Sequence, residues 1–226
     1  MRRLLFRLGR WLLTLGLLFL LVPIPVVLVL RTVDPPTTMV MVQRAGERAF
    51  EGKRPVYPQR QPVPLERISP WLRRAVIAAE DDRFYRHSGF DFHEIARALD
   101  AHEKGKPLRG ASTISQQTAK NLFLWDGRSY LRKALEAYLT VVLETLLPKE
   151  RILEIYLNLA EWGDGVFGAE MAAKVHYGKA AMSLSRAEAS RMAAILPNPR
   201  GWDVENPAAR RRARAILARM SRQVER

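Results

Sequence analysis

The sequence predicts a mainly α-helical domain preceded by one membrane-spanning helix. An uncharged apolar run at residues 11–30 is long enough to cross a bilayer. Beyond residue 70, apolar residues recur at three and four positions between glycine and proline breaks, as in amphipathic helices. The 226 residues leave room for one packed domain, and an apolar share of 48% is ample for its core.

The first element is the run WLLTLGLLFLLVPIPVVLVL at residues 11–30. We expect a transmembrane anchor there, kinked at its outer end by Pro23 and Pro25. A cleaved signal peptide is the alternative, but the run exceeds the usual apolar core and no clean small-x-small site follows it. Four arginines precede the run and only Arg31 follows closely, so we expect residues 1–10 to form a cytoplasmic tail and the body to be exported.

The body is basic in its own right. The formal charge is +14, and residues 1–31 hold five arginines and no acid, which leaves +9 for the remainder. Such an excess suits an anionic membrane surface or a phosphate-bearing ligand, with nucleic acid as the competing partner. Export argues against nucleic acid. The absence of cysteine excludes thiol catalysis and cysteine metal sites.

Residues 31–69 contain several prolines among short apolar runs such as TTMVMV, and we expect an extended connector with one short strand. Helices dominate the domain that we expect at residues 70–226. Ser69 and Pro70 are start signals for the first helix, and Ser185 with Glu188 predicts a capping box at the seventh. The predicted helices span residues 70–82, 92–103, 113–123, 129–146, 149–159, 167–176, 186–196 and 207–224.

Three acids end the first of these helices, within AVIAAEDDRFYRHSGF at residues 75–90. Leu72, Val76 and Glu80 are four apart, so the Glu80 carboxylate shares the inward face at a helix C-terminus, where the macrodipole disfavours it. A carboxylate beside aromatic rings has its proton affinity raised towards that of a general base or acid. A solvated helix end is the other explanation, with nearby arginines as partners: Arg73, Arg74, Arg83 and Arg86.

A second polar pattern follows at residues 110–136. In a helix that begins near Thr113, the side chains of Gln117, Lys120 and Asn121 share one face. Paired amides with a lysine can bind sugar hydroxyls and an oxyanion, and a solvated face is the plainer explanation.

Two arginines and a second acid come next. Arg128, Arg132 and Glu136 step by four, and an ordinary Arg132–Glu136 surface pair is the plainer explanation. Together with an acid that has an apolar flank, on the exported side of a basic membrane protein, these cations suggest displacement of a phosphate leaving group.

Five motifs resemble those of the peptidoglycan glycosyltransferases in order and spacing: EDDRFYRHSGF, GASTISQQTAKN, RKALE, KERILEIYLN and RMAAILPNP. That family occurs as a module of class A penicillin-binding proteins and as free-standing monofunctional biosynthetic transglycosylases. NLAEWGDGVFGAEMAA is similar to the monofunctional branch. The match runs from about residue 71 to residue 199, and it implies a mainly α, lysozyme-like helical fold.

The resemblance also implies an activity: polymerisation of lipid II into the glycan strands of peptidoglycan by inverting glycosyl transfer. Glu80 would be the general base on the acceptor 4-hydroxyl, and Glu136 would lie near the diphosphate, whose charge a Lys/Arg cluster would stabilise. The implied residues are Glu80 and Glu136 as catalytic; Gln117, Lys120, Arg128 and Arg132 as substrate-binding; and Asp81, Phe84 and His87 as supporting.

The expected partners are lipid II, the growing glycan strand, the membrane and proteins of cell-wall synthesis or division. The resemblance implies a single-pass protein of the bacterial inner membrane that acts in cell-wall biogenesis and cell shape, with its catalytic domain on the periplasmic side. The sequence requires no cofactor and is compatible with a divalent cation, Mg²⁺ or Mn²⁺, at the diphosphate. The metal ligands are unknown.

Rival functions fit the residues less well. A lytic glycosidase gives no reason for several cations to converge, and an anchored scaffold would not need a base opposite them. His93 and Glu94 suggest a zinc peptidase, but no second histidine follows four residues after the first. No Ser-x-x-Lys occurs, which argues against transpeptidase activity.

The stretch NPAARRRARAILARMSRQVER at residues 206–226 contains the last predicted helix, with Asn206 as its expected cap, and carries seven arginines from Arg210 to Arg226. A nucleic-acid arm is one interpretation, and the exported location argues against it. A solvated or lipid-headgroup-facing surface is the other, with Ile216, Leu217 and Met220 packed on the body.

Overall fold

The computed structural model describes residues 2–52, 59–105, 107, 110–127 and 129–224. This part of the chain is mainly α-helical, as predicted, with three short strands. The helices are α1 (Arg2–Leu21), α2 (Pro23–Val29), α3 (Met39–Phe50), α4 (Pro70–Glu80), α5 (Phe92–Glu103), α6 (Ile114–Phe123), α7 (Tyr130–Leu146), α8 (Lys149–Leu159), α9 (Ala169–Tyr177), α10 (Arg186–Ile195) and α11 (Pro207–Val224). The strands are β1 (Gln59–Arg60), β2 (Glu161–Gly163) and β3 (Val166–Phe167), and 3-10 turns lie at Leu65–Arg67, Phe84–Arg86 and Ala181–Ser183.

Helices α1 and α2 form the apolar N-terminal segment. Within the described ranges, Gly9–Val29 is the one helical stretch whose length and composition would allow it to cross a membrane. The two helices meet at Val22, just before Pro23, because proline lacks the N–H that would continue the helical bonding. Helix α2 packs against α7, and the Tyr138 hydroxyl of α7 donates a hydrogen bond to the Leu20 carbonyl oxygen near the end of α1.

The expectation of an extended connector at residues 31–69 is wrong for α3. Thr38 caps this helix by accepting a hydrogen bond from the Met41 N–H at 3.3 Å. Val40 and Met41 are buried, and α3 packs against α6. This tertiary burial outweighs the strand preference of the β-branched residues in TTMVMV. The short strand that was expected does form, but it is β1.

The end of this segment also packs on the body. The buried Asn158 side chain of α8 donates to the Val63 carbonyl oxygen at 2.9 Å and accepts from the Val63 N–H at 3.1 Å. The Leu65 N–H donates to Glu154 at 2.7 Å. Residues 63–65 are therefore held on α8 through their backbone groups.

The eight helices predicted beyond residue 70 are all present, with ends within two residues of the predicted ones. Helix α8 is buried from Ile155 to Leu159 and packs against α6, α7 and α9. Helix α4 packs against α10 and α11 on another side of the core. The buried stripe of α11 includes Ile216 and Met220, and Leu217 packs against it, as expected.

The glycine-rich stretch EWGDGVFG lies between α8 and α9. It forms an antiparallel pair, β2 with β3, and β1 adds to β3 in parallel. Gly168 ends this turn at a φ of +83°, and a Cβ there would lie 3.0 Å from the Asn158 carbonyl oxygen. Glycine is therefore needed at this position both for its backbone conformation and for its size.

Candidate active site

Glu80 is the last residue of α4, and both of its carboxylate oxygens accept hydrogen bonds. Ser69 accepts from the Trp71 N–H at 3.3 Å to start the helix, as predicted, and Leu72 and Val76 are buried beneath the same face. The Glu80 side chain is 14% exposed. Its Oε2 accepts from Gln117 Nε2 at 3.0 Å, and its Oε1 accepts from an arginine of α11 at 2.9 Å.

That arginine is Arg212, which sequence reasoning assigned to a solvated or headgroup-facing helix. In the described part of the chain, none of the arginines named from sequence pairs with Glu80. Arg83 instead lies 3.5 Å from Asp91. The pattern of α11 did contain a signal, because Arg212 borders the buried stripe formed by Ala209, Ala213 and Ile216.

Tyr156, a residue of α8 that sequence reasoning did not single out, fixes the orientation of Gln117. Its buried hydroxyl donates to Gln117 Oε1 at 3.1 Å, which leaves the amide nitrogen to face Glu80. Burial raises the pKa of the Tyr156 hydroxyl well above its usual range, and the nearby Glu80 carboxylate raises it further. Tyr156 therefore keeps its hydroxyl proton and donates it in the hydrogen bond to Gln117. Side chains of α6, α8 and α11 thus converge on the Glu80 carboxylate of α4.

Asp81 joins the end of α4 to the start of α6. Its buried carboxylate accepts from His87 Nε2 at 2.9 and 3.0 Å and from the Ile114 N–H at 3.0 Å. The Gly89 N–H donates to His87 Nδ1 at 3.2 Å, so the imidazole proton lies on Nε2 and points at Asp81. A carboxylate at a helix N-terminus is favoured by the macrodipole, which suits the predicted supporting position.

Phe84 lies in the core beneath this turn and is fully buried. Its ring centroid is 6.3 Å from that of His87, and the Lys149 ammonium lies 4.5 Å above the Phe84 ring. The three residues predicted to support the site, Asp81, Phe84 and His87, are thus brought together by one turn.

Lys120 lies one turn beyond Gln117 on α6, and its ammonium is 3.2 Å from Asp126 Oδ1. Arg44 of α3 binds the other oxygen of Asp126 at 2.8 Å. Partial burial alone would raise the pKa of Asp126, but Lys120 and Arg44 outweigh it and lower that pKa. The predicted cation is therefore present, with a carboxylate partner that sequence reasoning missed.

Arg44 was missed because its helix was interpreted as a connector. Besides Asp126, its guanidinium contacts Glu47 at 2.9 Å and Glu161 of β2 at 3.1 Å. It joins α3, the loop after α6 and the small sheet at one edge of the site.

Glu136 lies on α7 and is 3% exposed. Arg132 Nη1 contacts its Oε2 at 2.6 Å, and the Lys133 ammonium contacts its Oε1. The pair predicted between Arg132 and Glu136 is thus present, but it is buried rather than superficial. Arg128, the other arginine of the pattern, lies outside the described residues.

Two arrangements bear on metal binding. The ligand atoms of Asp81, His87 and Asp91 lie within 4.8 Å of one another. His87, however, uses Nε2 to donate to Asp81 and Nδ1 to accept from Gly89, so neither nitrogen offers a lone pair to a metal. Both oxygens of Glu136 are paired with cations. As arranged here, these two groups do not fit a divalent cation, and its presence at the diphosphate stays a prediction.

Two carboxylate groups and the Lys120–Asp126 pair therefore make up the candidate site. The Glu80 group consists of Glu80, Gln117, Tyr156 and Arg212, and the Glu136 group consists of Glu136, Arg132 and Lys133. Among the described side chains, no hydrogen bond or ion pair joins the two groups. Helix α6 links them, because it carries Gln117 and packs against both α7 and α8.

The chain is similar to known proteins over most of its length. The family model described as Transglycosylase matches residues 48–221. A biosynthetic peptidoglycan transglycosylase of Pseudomonas fluorescens (strain SBW25) is 53% identical over 205 residues, which are 90% of this chain and 85% of that protein. The protein of the same name from Chromohalobacter salexigens is 53% identical over 199 residues, 88% and 85% of the two chains. The protein of that name from Pseudomonas aeruginosa is 50% identical over 201 residues, which are 89% of this chain and 86% of that protein.

The matched region takes in α4 to α10 and most of α11, and so both carboxylate groups. Its mainly helical, lysozyme-like architecture agrees with the fold that the motifs implied. The family match covers more than half of the chain, and the three relatives are 50–53% identical to it over most of its length. This chain belongs to the peptidoglycan transglycosylase family.

Proposed function

We propose that this protein polymerises lipid II into glycan strands, with Glu80 as the general base. The observation that carries the proposal is the Glu80 carboxylate, which is fixed through both oxygens by groups from two other helices yet remains partly exposed. A base must be oriented and must reach the proton it removes. Each carboxylate oxygen has a second lone pair, so an acceptor hydroxyl can still bind there.

In the proposed reaction Glu80 takes the proton of the acceptor sugar's 4-hydroxyl. The oxygen forms a bond to the anomeric carbon of the donor, and the bond from that carbon to the diphosphate oxygen breaks. The electron pair leaves on the diphosphate. Because the donor is α-linked and the product is β-linked, attack comes from the opposite face and inverts the configuration.

The leaving diphosphate gains negative charge as the bond breaks, and nearby cations stabilise that charge. Lys120 and Arg132 are the described candidates, and Arg128 is a third by the sequence pattern. The Lys120 ammonium is 33% exposed and pairs with Asp126, so a diphosphate would compete with that carboxylate for it. Arg132 and Lys133 share one carboxylate, which leaves the Glu136 group with a net positive charge.

The test is polymerisation itself. Purified full-length protein in detergent is incubated with lipid II, and products are separated on a gel, beside purified sacculi assayed for soluble fragments. We expect polymer from lipid II and no release from sacculi. Release from sacculi without polymer would favour a lytic glycosidase, and neither product would favour a scaffold.

We also propose a single-pass inner-membrane protein whose catalytic domain faces the periplasm. The apolar helical stretch Gly9–Val29 supports the anchor, and the arginines at the N-terminal side of this stretch support the orientation. A topology reporter fused after Arg226 should be active only outside the cytoplasm. Reporter activity in the cytoplasm would contradict the proposed orientation but would not bear on the proposed reaction.

A further inference from the structure

Helix α11 turns two of its arginines towards the C-terminal end of α4. Arg212 Nη2 donates to the Ala79 carbonyl oxygen at 3.2 Å and to Glu80 Oε1 at 2.9 Å. Arg219 Nη1 donates to the Ala78 carbonyl oxygen at 2.9 Å. One cationic nitrogen therefore serves a helix-terminal carbonyl and the carboxylate of the next residue together.

The other described arginines near the start of α11 do not bond to α4, and Arg210 lies 3.6 Å from Glu205 instead. Arg211 and Arg214 are exposed, and in the described part of the chain no hydrogen bond or ion pair is recorded for either side chain. Residues 212 and 219 are seven apart, two helical turns, and so lie on one side of α11. Among the described arginines of α11, Arg212 and Arg219 thus bond to the end of α4, although Arg219 is exposed.

Position 212 meets a specific physical need. A carboxylate at the last residue of a helix faces the negative end of the macrodipole and the unpaired carbonyls of the last turn. The Arg212 guanidinium offsets both, since it donates to a carbonyl and neutralises the acid. Gln117 holds the other oxygen, so Arg212 and Gln117 together define the plane and direction of the Glu80 carboxylate.

We propose that Arg212 is a positioning residue for the Glu80 base, which makes α11 part of the active site. This inference rests on the proposed function, because it assigns Arg212 a task only if Glu80 removes the proton. Arg212 acts through Glu80: by its hydrogen bond to Oε1 it keeps the carboxylate aimed at the acceptor hydroxyl. Its effect should therefore fall on turnover rather than on substrate binding.

The experiment compares Arg212→Ala, Arg212→Lys and the outward-facing control Arg214→Ala in full-length protein with lipid II. We expect Arg212→Ala to lower kcat by roughly a hundredfold, the loss that a misplacement of about 1 Å can cause, with KM little changed. Millimolar guanidinium should restore part of that turnover. Arg212→Lys should retain most of the kcat, because one ammonium can donate to both oxygens that Arg212 Nη2 serves. Arg214→Ala should match wild type.

Several results would overturn the inference. These are equal turnover in Arg212→Ala and Arg214→Ala, a loss confined to KM, or a folded Arg212→Ala that guanidinium does not restore. Should Arg212→Ala fail to fold, Arg212→Lys decides: a folded lysine variant with turnover near wild type supports the inference, and one as inactive as Glu80→Gln contradicts it. If wild type makes no polymer, or Glu80→Gln stays active, the proposed function fails whatever the Arg212 variants do.

Discussion

Glu80 and Glu136 are both carboxylates of helices, and they are held in opposite ways. Glu80 is held by Gln117 and Arg212, which are 37 and 132 positions away in the chain. Glu136 is held by Arg132 and Lys133, four and three positions away on its own helix. The first arrangement requires several helices to be packed, and the second requires only that α7 forms.

The two groups also differ in charge and exposure. Glu80 has one cationic partner and a side chain 14% exposed, whereas Glu136 has two cationic partners and a side chain 4% exposed. A carboxylate with one partner and some exposure can still accept a proton from a substrate. A buried carboxylate between two cations instead fixes the positions of those cations. The difference supports the proposal that the first group removes the proton and the second binds the anion.

The largest expected effect comes from Glu80→Gln. The amide keeps the shape of the side chain but cannot take a proton, so turnover on lipid II should fall by about 10²- to 10⁴-fold. Thermal unfolding should stay near wild type. Glu66→Gln, at an exposed position before α4, is the matched control and should leave turnover unchanged. If Glu80→Gln keeps more than a few per cent of the wild-type turnover, Glu80 is not the base and Glu136 becomes the candidate.

The next effect concerns Lys120. If its ammonium stabilises the departing diphosphate, Lys120→Ala should lower turnover by about a hundredfold, and more than it weakens binding of lipid II. Steady-state kinetics that separate kcat from KM make the measurement. Lys174→Ala, on α9, provides a lysine control, because the Lys174 ammonium likewise lies 3.2 Å from a carboxylate oxygen, that of Glu170. Normal polymerisation by Lys120→Ala would show that the Lys120 ammonium does not stabilise the leaving diphosphate.

The smallest expected effect on turnover is that of Glu136→Gln. This change removes the charge that orients Arg132 and Lys133 but leaves both cations, so we expect a loss of about tenfold, near 1.4 kcal/mol in the barrier. Stability should fall by about 1–3 kcal/mol, because buried charge-assisted hydrogen bonds are lost. Chemical denaturation and the lipid II assay give the two values. A turnover loss as large as that of Glu80→Gln, without a loss of stability, would contradict the assignment.

Local signals in the sequence were sufficient for the helices beyond residue 70. The Ser69 cap is present, and Ser185 and Glu188 form the predicted capping box at the start of α10. These bonds join residues within three positions of each other, so their chemistry can be deduced from a short stretch. Asn206 likewise accepts from the Ala208 N–H at 2.9 Å at the start of α11, where it was expected as the cap.

Local signals failed at α3. Its β-branched and proline-flanked sequence favours extended structure, yet Val40 and Met41 are buried and Arg44 reaches Asp126 and Glu161. Those contacts are made across 82 and 117 positions of the chain, and no periodicity within the segment specifies them. Tertiary packing outweighed local preference there.

The sequence by itself determined the helices beyond residue 70, their caps, the family motifs and the Arg132–Glu136 pair, because each depends on residues a few positions apart on a regular backbone. Only the tertiary structure decided that Arg212 holds Glu80, that Tyr156 orients Gln117 and that Asp126 pairs with Lys120 and Arg44. The first two contacts depend on how α4, α6, α8 and α11 pack, and the third depends on the docking of α3. Helical geometry is the same in every protein, whereas the meeting of distant side chains exists only once the core has formed.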